Sequence, residues 1–193
     1  IIKDVSDGPT TIKFGPNNRR VVEPVDDQHD GTGHEAAPST VHYMVELDMA
    51  ALEDVVVWLN VDLNGNAQRG TDPANGDDYY FGKGMYAVQP DGSIIAYNSD
   101  GTTSTLLASG AGDADLKAAL DLRYGNNVPE HLFQAFKNQI ASGTGSHFVI
   151  IRENQAMAEF EVKILDDNDT VNDRGNDLTD NEKLGFAIGG VEG

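Results

Sequence analysis

Cysteine is absent from this chain, and basic residues are scarce. Without a single cysteine in 193 residues, disulfides, thiolate zinc sites and cysteine nucleophiles are excluded. Only 13 Lys and Arg residues stand against 32 Asp and Glu residues, so the formal net charge is −19 and the pI is near 4.3. A charge of this sign disfavours nucleic acid and anionic lipid as partners and favours multivalent cations.

Long apolar runs are missing as well. No stretch of the sequence is long enough to span a bilayer, and no signal peptide is visible, so we expect no direct membrane insertion. The chain opens on IIKDVSDG, without a Met, and closes on GGVEG, which favours a monomeric module within a longer chain. Its length suits one domain, residues 1–193, better than two full domains.

Short segments with the alternating pattern of half-buried strands lie towards both ends of the chain. VHYMVEL and DVVVWLNVDL carry apolar residues at alternate positions, and EFEVKIL alternates Phe160, Val162 and Ile164 with charged residues. HFVIIRE and GFAIGG are shorter apolar runs. Because Gly, Asp and Asn separate these segments, the pattern predicts a mainly β fold, an antiparallel β-sandwich.

The middle of the chain has a pattern typical of short helices. DADLKAALDLRYG offers Asp113 as an N-cap and Gly125 as a C-terminal stop. PEHLFQAFKNQIASG has Pro129 near its first turn, an apolar stripe, and Gly143 as its stop. We therefore predict an insertion over residues 84–147 that contains two short helices and Gly-rich loops.

Acidic residues concentrate in three segments between the predicted strands. These segments are VVEPVDDQHDGTGHE, VDLNGNAQRGTDPANGDDYYF and ILDDNDTVNDRGNDLTDNEKLGF. Like charges at this density repel one another unless a cation binds between them. Calcium takes roughly six to eight oxygen ligands, which loops rich in Gly, Asn and Asp supply. We predict that Ca²⁺ ligands come from all three segments: Glu23, Asp26, Asp27, Asp62, Asp72, Asp77, Asp78, Asp166, Asp167, Asp169, Asp173, Asp177, Asp180 and Glu182.

The acidic and histidine-containing segments have three other interpretations. DLNGN imitates the start of an EF-hand loop at Asp62, but Pro73 stands at the twelfth position, where that loop needs Glu, so an EF-hand is rejected. A salt-adapted protein is acidic without a metal site, although its carboxylates should also cover the strand faces. His29, His34 and Glu35 form a candidate zinc site that lacks the helical HExxH spacing.

The order of these segments resembles the Calx-beta domain family. The resemblance rests on VVEPV, STVHYMVELDMAALEDVVVWLNVDLNGNAQRGTD, GDDYYF, AEFEVKILDDND and NEKLGFAIGG, about two thirds of the chain. That family is a calcium-binding antiparallel sandwich found in sodium/calcium exchangers, integrins and large bacterial adhesins. The resemblance therefore implies calcium ligands at Glu23, Asp78, Asp166, Asp167 and Glu182.

The chain departs from a plain Calx-beta repeat in two places. Residues 168–181 form a longer and more acidic segment than the family pattern has, which favours additional calcium sites. The insertion over residues 84–147 has no counterpart in the plain repeat. In this architecture the chain is similar to the ligand-binding, notably peptide-binding, domains of calcium-dependent RTX-type adhesins.

The predicted insertion favours a binding function over a purely structural one, because recognition sites usually lie on loops held by a rigid scaffold. We expect a calcium-dependent ligand-binding module of a large extracellular bacterial adhesin, which binds a peptide or glycan on another cell surface. A calcium-rigidified structural spacer and a carbohydrate-binding module of a secreted enzyme are the alternatives. No catalytic motif such as G-x-S-x-G is present, and we expect no enzyme activity. The candidate ligand contacts are Asp100, Asp113, Asp115, Arg123, Tyr124, Asn126 and Asn127.

Overall fold

The computed structural model describes residues 12–15, 38–61, 67, 69–71, 79–124, 128–165 and 184–192, with the backbone alone for residues 121–124. The described strands are β1 (Ile12–Phe14), β2 (Ser39–Leu47), β3 (Val55–Val61), β4 (Tyr79–Phe81), β5 (Tyr86–Val88), β6 (Ile94–Tyr97), β7 (Thr103–Leu107), β8 (Ser146–Ile151), β9 (Met157–Ile164) and β10 (Phe186–Glu192). The described helices are α1 (Asp113–Tyr124) and α2 (Glu130–Ser142).

Two antiparallel sheets form the fold. Sheet A has the strand order β1-β2-β9-β4, and sheet B has the order β10-β3-β8-β5-β6-β7. The longest register joins β2 to β9, from Ser39 opposite Ile164 to Glu46 opposite Met157. The prediction of a mainly β, antiparallel sandwich is confirmed.

A first hydrophobic core lies between the two sheets. Val57 and Val149 of sheet B are fully buried in one cluster with Phe160 and Val162 of sheet A. These residues occupy alternate positions in their strands, so each strand turns one row of side chains towards the other sheet. Phe186, the first residue of β10, closes this core, since its ring centre lies 5.3 Å from that of Phe160.

A second hydrophobic core lies on the other face of sheet B, beneath the two helices. Trp58, Phe136 and Phe148 contact one another with ring centres 5.1 to 5.2 Å apart. Leu120 of α1 and Leu132 of α2 are buried in the same cluster. Trp58 is therefore partly buried between sheet B and the helices.

The region predicted as an insertion contains both predicted helices. α1 and α2 end just before Gly125 and Gly143, the residues that the sequence marks as stops. Gly143 has a positive φ of 64° and donates its N–H to the carbonyl of Ile140, which is the usual end of a helix at glycine.

The same region also contains three strands that the sequence analysis missed. β5, β6 and β7 have only three to five residues each and extend sheet B beyond β8. Strands this short carry too little alternation to be recognised by periodicity. Residues 84–147 thus supply half of the six strands described in sheet B, in addition to the helix pair.

Gly84 permits the chain to pass from sheet A to sheet B. Its φ is 94°, and a Cβ at this position would lie 2.2 Å from the carbonyl oxygen of Glu159. Only glycine accommodates both this backbone conformation and this close approach.

Candidate calcium-binding end of the sandwich

The strand directions divide the sandwich into two ends. At one end, residues 48–54 connect β2 to β3 and residues 152–156 connect β8 to β9. The two connections bond to each other, because Ala51 donates its N–H to the carbonyl of Gln155 and Asn154 donates to the carbonyl of Ala51, both at 2.8 Å. This end, formed by residues 48–54 and 152–156, is termed the base.

The predicted calcium-binding segments join the strands at the opposite end, termed the acidic end. There Ser39 and Tyr79 both lie opposite Ile164, and Val61 lies opposite Phe186. Four segments of the chain attach to these strand ends: residues 16–37 before β2, residues 62–66 after β3, residues 72–78 before β4, and residues 166–183 between β9 and β10. These four segments contain the acidic residues of all three acidic segments described in the sequence analysis. The described strands therefore attach all of these acidic residues to one end of the sandwich.

The predicted calcium ligands themselves lie outside the described residues, and their assignment stays a prediction. They are Glu23, Asp26, Asp27, Asp62, Asp72, Asp77, Asp78, Asp166, Asp167, Asp169, Asp173, Asp177, Asp180 and Glu182. The candidate zinc ligands His29, His34 and Glu35 also lie outside. Within the part of the chain that the structure describes, no group of three or more His, Asp or Glu residues is arranged to hold a metal ion.

At the base, the carboxylate of Asp54 is neutralised by the protein itself. Asp54 accepts hydrogen bonds from Nη1 of Arg152 at 2.6 Å and from the backbone N–H of Glu153 at 2.7 Å. Glu53 lies 3.9 Å from Nε2 of His131. Because each Asp54 oxygen already has a donor, this carboxylate stabilises the base without a metal.

Asp100 and Asp115, two of the predicted ligand contacts, bond to their own neighbours. Oδ1 of Asp100 accepts from the hydroxyl of Thr102 at 2.6 Å and from its N–H at 3.0 Å, and these bonds lower the pKa of Asp100. Oδ2 of Asp115 accepts from the N–H of Gly112 at 3.1 Å, just before α1 begins. The first contact is typical of a turn and the second of a helix N-terminus, and a role in ligand binding stays a prediction.

The other predicted ligand contacts lie around the two helices. Asp113 of α1 forms an ion pair with Lys137 of α2, which links the helices. Arg123 and Tyr124 lie in the last turn of α1, where only the backbone is described. The remaining two, Asn126 and Asn127, lie outside the described residues.

The outer face of sheet A carries ionic contacts near its surface. Nδ1 of His42 lies 2.8 Å from Oε1 of Glu159, and both side chains are exposed. Nζ of Lys163 lies 2.7 Å from the hydroxyl of Thr40 and 3.3 Å from Oε2 of Glu161. His42 therefore lies on the outward face of β2.

Arg69 makes contacts that the sequence did not predict. Arg69 donates from Nη1 to Nε2 of His147 at 2.7 Å, and its guanidinium carbon lies 5.6 Å from the ring centre of Phe81. The hydroxyl of Tyr97 lies 3.4 Å from the same imidazole nitrogen. Burial of His147 and the nearby charge of Arg69 lower the pKa of His147 to about 4. This imidazole is therefore neutral at neutral pH.

Comparison of the chain with known protein families, with curated proteins and with solved structures finds no match. The resemblance to Calx-beta domains thus rests on the sequence pattern and stays a prediction. Among the described residues, no helix is long and apolar enough to cross a membrane.

Proposed function

We propose that this chain is a calcium-dependent ligand-binding module of an extracellular adhesin, with its calcium ions at the acidic end. The observation that carries this proposal is the arrangement of the strand ends. All three acidic segments of the sequence join the sandwich at the same end, which is marked by Ser39, Tyr79, Val61 and Phe186. Negative charge brought together in this way is unfavourable without counter-ions, and divalent cations relieve the repulsion most effectively.

The donor types available near the acidic end suit calcium better than other common metal ions. The four attached segments are rich in Asp, Asn and Gly and contain no cysteine. Carboxylates, amide oxygens and backbone carbonyls in flexible loops match the large and variable coordination shell of Ca²⁺. Because the ligands come from segments distant in sequence, the unfolded chain does not preserve the site, and calcium binding stabilises the native state.

The positions of the first and last described strands favour a ligand-binding role for the acidic end. β1 begins at Ile12, opposite Leu47, and β10 ends at Glu192, opposite Val56, so both strands meet the base. The acidic end therefore lies opposite the described start of β1 and the described end of β10, which supports its use as the binding end.

The ligand of this proposal is a peptide or a glycan on another cell surface. A calcium ion in a loop can accept one oxygen from outside the protein, such as a peptide carboxylate or a sugar diol. That interaction would overcome the repulsion that an anionic ligand otherwise meets at a protein with a net charge of −19. The helix pair formed by α1 and α2 is the proposed neighbouring contact surface, and no catalytic step belongs to this function.

Calcium titration followed by a ligand screen tests the proposal. The metal-free protein is titrated with CaCl₂ by calorimetry, and peptide and glycan arrays are then probed with the protein in CaCl₂ and in EDTA. We expect saturable calcium binding and array signals that disappear in EDTA. Absence of calcium binding, or array signals that are equal in both buffers, would contradict it.

The contact surface is best tested with substitutions on the helix pair. Removing residues 84–147 would delete β5, β6 and β7 and would uncover the buried ring of Phe148, so such a deletion does not isolate the binding surface. Lys117→Glu and Asn138→Lys change exposed positions of α1 and α2 without touching either core. We expect these variants to lose array signal while their calcium affinity stays unchanged, and an unaltered signal would place the ligand elsewhere.

A further inference from the structure

We propose that Arg69 and His147 form an acid-sensitive latch that holds residues 69–71 against the sandwich. In the sequence, these residues lie between residues 62–66 and 72–78, two of the segments that attach to the acidic end. The latch is a property of the fold and does not depend on calcium binding. At low pH the latch would open, and the residues that it holds would detach from the sandwich while both sheets stay folded.

Contacts of several kinds fix Arg69 and its neighbours in place. The guanidinium group donates to His147 and lies over the ring of Phe81. The backbone adds a second attachment, because Gly70 donates its N–H to the carbonyl of Tyr79 at 3.0 Å. Ala67 packs against the core between the sheets. In the described part of the chain, Arg69 has no carboxylate within ion-pair distance, so the imidazole is its main polar partner.

The hydrogen bond requires a neutral imidazole. An arginine side chain only donates, so Nε2 of His147 must accept and the ring proton must lie on Nδ1. Protonation would place a second N–H on Nε2, directed at the guanidinium nitrogen 2.7 Å away. Two donors and two positive charges would then face each other, and the contact would open.

The surroundings of His147 offer little to offset a positive charge. Its backbone pairs with Leu59 of β3 and Ala87 of β5, and its ring lies 5.0 Å from that of Phe81 in β4. Of the groups that face it within the described residues, Arg69 and the hydroxyl of Tyr97 are the titratable ones, and neither is anionic at neutral pH. Protonation of His147 at low pH therefore weakens its contact with Arg69 directly.

The direction of the pH effect follows from the lowered pKa of His147. The closed latch, in which His147 is buried beside Arg69, takes up a proton only near pH 4, whereas an unfolded chain does so near the ordinary histidine pKa of 6.5. Opening removes the charge of Arg69 and part of the burial, so the open state takes up the proton at a higher pH than the closed one. Between these values the open state binds more protons, so the contact loses stability as the pH falls. The equilibrium constant for opening should rise by up to about tenfold for each pH unit as the pH falls towards about 4.

Amide hydrogen exchange at Gly70 measures the latch directly, because this N–H bonds to Tyr79 only while residues 69–71 stay attached. Protection factors, corrected for the intrinsic exchange rate, are measured from pH 7 to pH 4 in the wild-type protein, in His147→Gln and in His42→Gln. We expect protection at Gly70 to fall by up to about tenfold per pH unit in the wild type and in the exposed-histidine control. His147→Gln should show no such slope, because an amide oxygen can accept from Arg69 without titrating.

A slope that persists in His147→Gln, or one that His42→Gln abolishes, would overturn the latch. If His147→Gln does not fold, Arg69→Gln replaces it, since this change removes the charge that protonation opposes and should reduce the slope. An undiminished slope in Arg69→Gln overturns the proposal. The imidazole ¹⁵N shifts of His147 provide a second measurement, and titration near the ordinary histidine pKa would also contradict it.

Discussion

The base and the acidic end of this sandwich differ in how they accommodate negative charge. At the base, short connections bond to each other, and Asp54 receives donors from Arg152 and from the backbone. At the acidic end, the described strands bring together the attachment points of the densest acidic segments of the sequence. The comparison indicates that one end is completed by the chain itself, whereas the other, in our proposal, is completed by calcium from solution.

Removal of calcium should lower the stability of the protein more than any of the substitutions below. The loss should arise at the acidic end. If each site binds only the native state, calcium at about a hundred times its dissociation constant adds about 2.7 kcal/mol per site to the free energy of unfolding. For a domain of this size that corresponds to a rise in Tm of about 5 to 10 °C per site. Thermal unfolding in CaCl₂ and in EDTA measures it. A sodium salt at equal ionic strength is the control, and an equal effect of sodium would favour a salt-adapted protein.

Asp54→Ala should lower the free energy of unfolding by a similar or slightly smaller amount, through the loss of contacts at the base. The change removes two hydrogen bonds and leaves Arg152 without its carboxylate, which costs about 2 kcal/mol. The loss should be the same in calcium and in EDTA, because this carboxylate has its donors within the protein. Urea unfolding in both buffers checks this, and a loss seen only in calcium would show that the two ends are not independent.

Asp167→Asn should act on the acidic end alone. The substitution keeps the size of the side chain but removes a charge, so we expect calcium affinity to fall about tenfold, or about 1.4 kcal/mol. Unfolding in EDTA should be unchanged. Calorimetric titration with CaCl₂ gives the result, and unaltered affinity and stoichiometry would remove Asp167 from the predicted ligands.

Of the four changes, Asp113→Ala should lower the stability of the protein least. Both side chains of its ion pair with Lys137 are about half exposed to solvent, and such pairs contribute less than about 1 kcal/mol. We expect a small decrease in Tm that shrinks in high salt, with no change in calcium affinity. Reduced calcium affinity would instead make Asp113 part of a metal site.

The sequence predicted those parts of the fold that have long periodic patterns or clear stop residues. Alternation revealed the strands around Val57 and Phe160, and glycines marked the ends of α1 and α2. β5, β6 and β7 were not predicted because strands of three to five residues carry too little alternation to be recognised.

The candidate site was only partly predictable for a different reason. The acidic segments are visible in the sequence, but their attachment at one end depends on the direction of strands that pair across long distances in the chain. The contact between Arg69 and His147 joins residues 78 positions apart and has no local signal in the sequence. Contacts of this kind are set by the packing of the two sheets.

The placement of β1 and β10 also determines how the domain would carry mechanical load. Forces that pull Ile12 and Glu192 apart would act across the base, where each of these residues pairs with its neighbouring strand. Under such a pull, β1 would separate from β2, and β10 from β3, one residue pair at a time. A pull between these two residues would therefore load the strand ends at the base before it reached the strand ends at the acidic end.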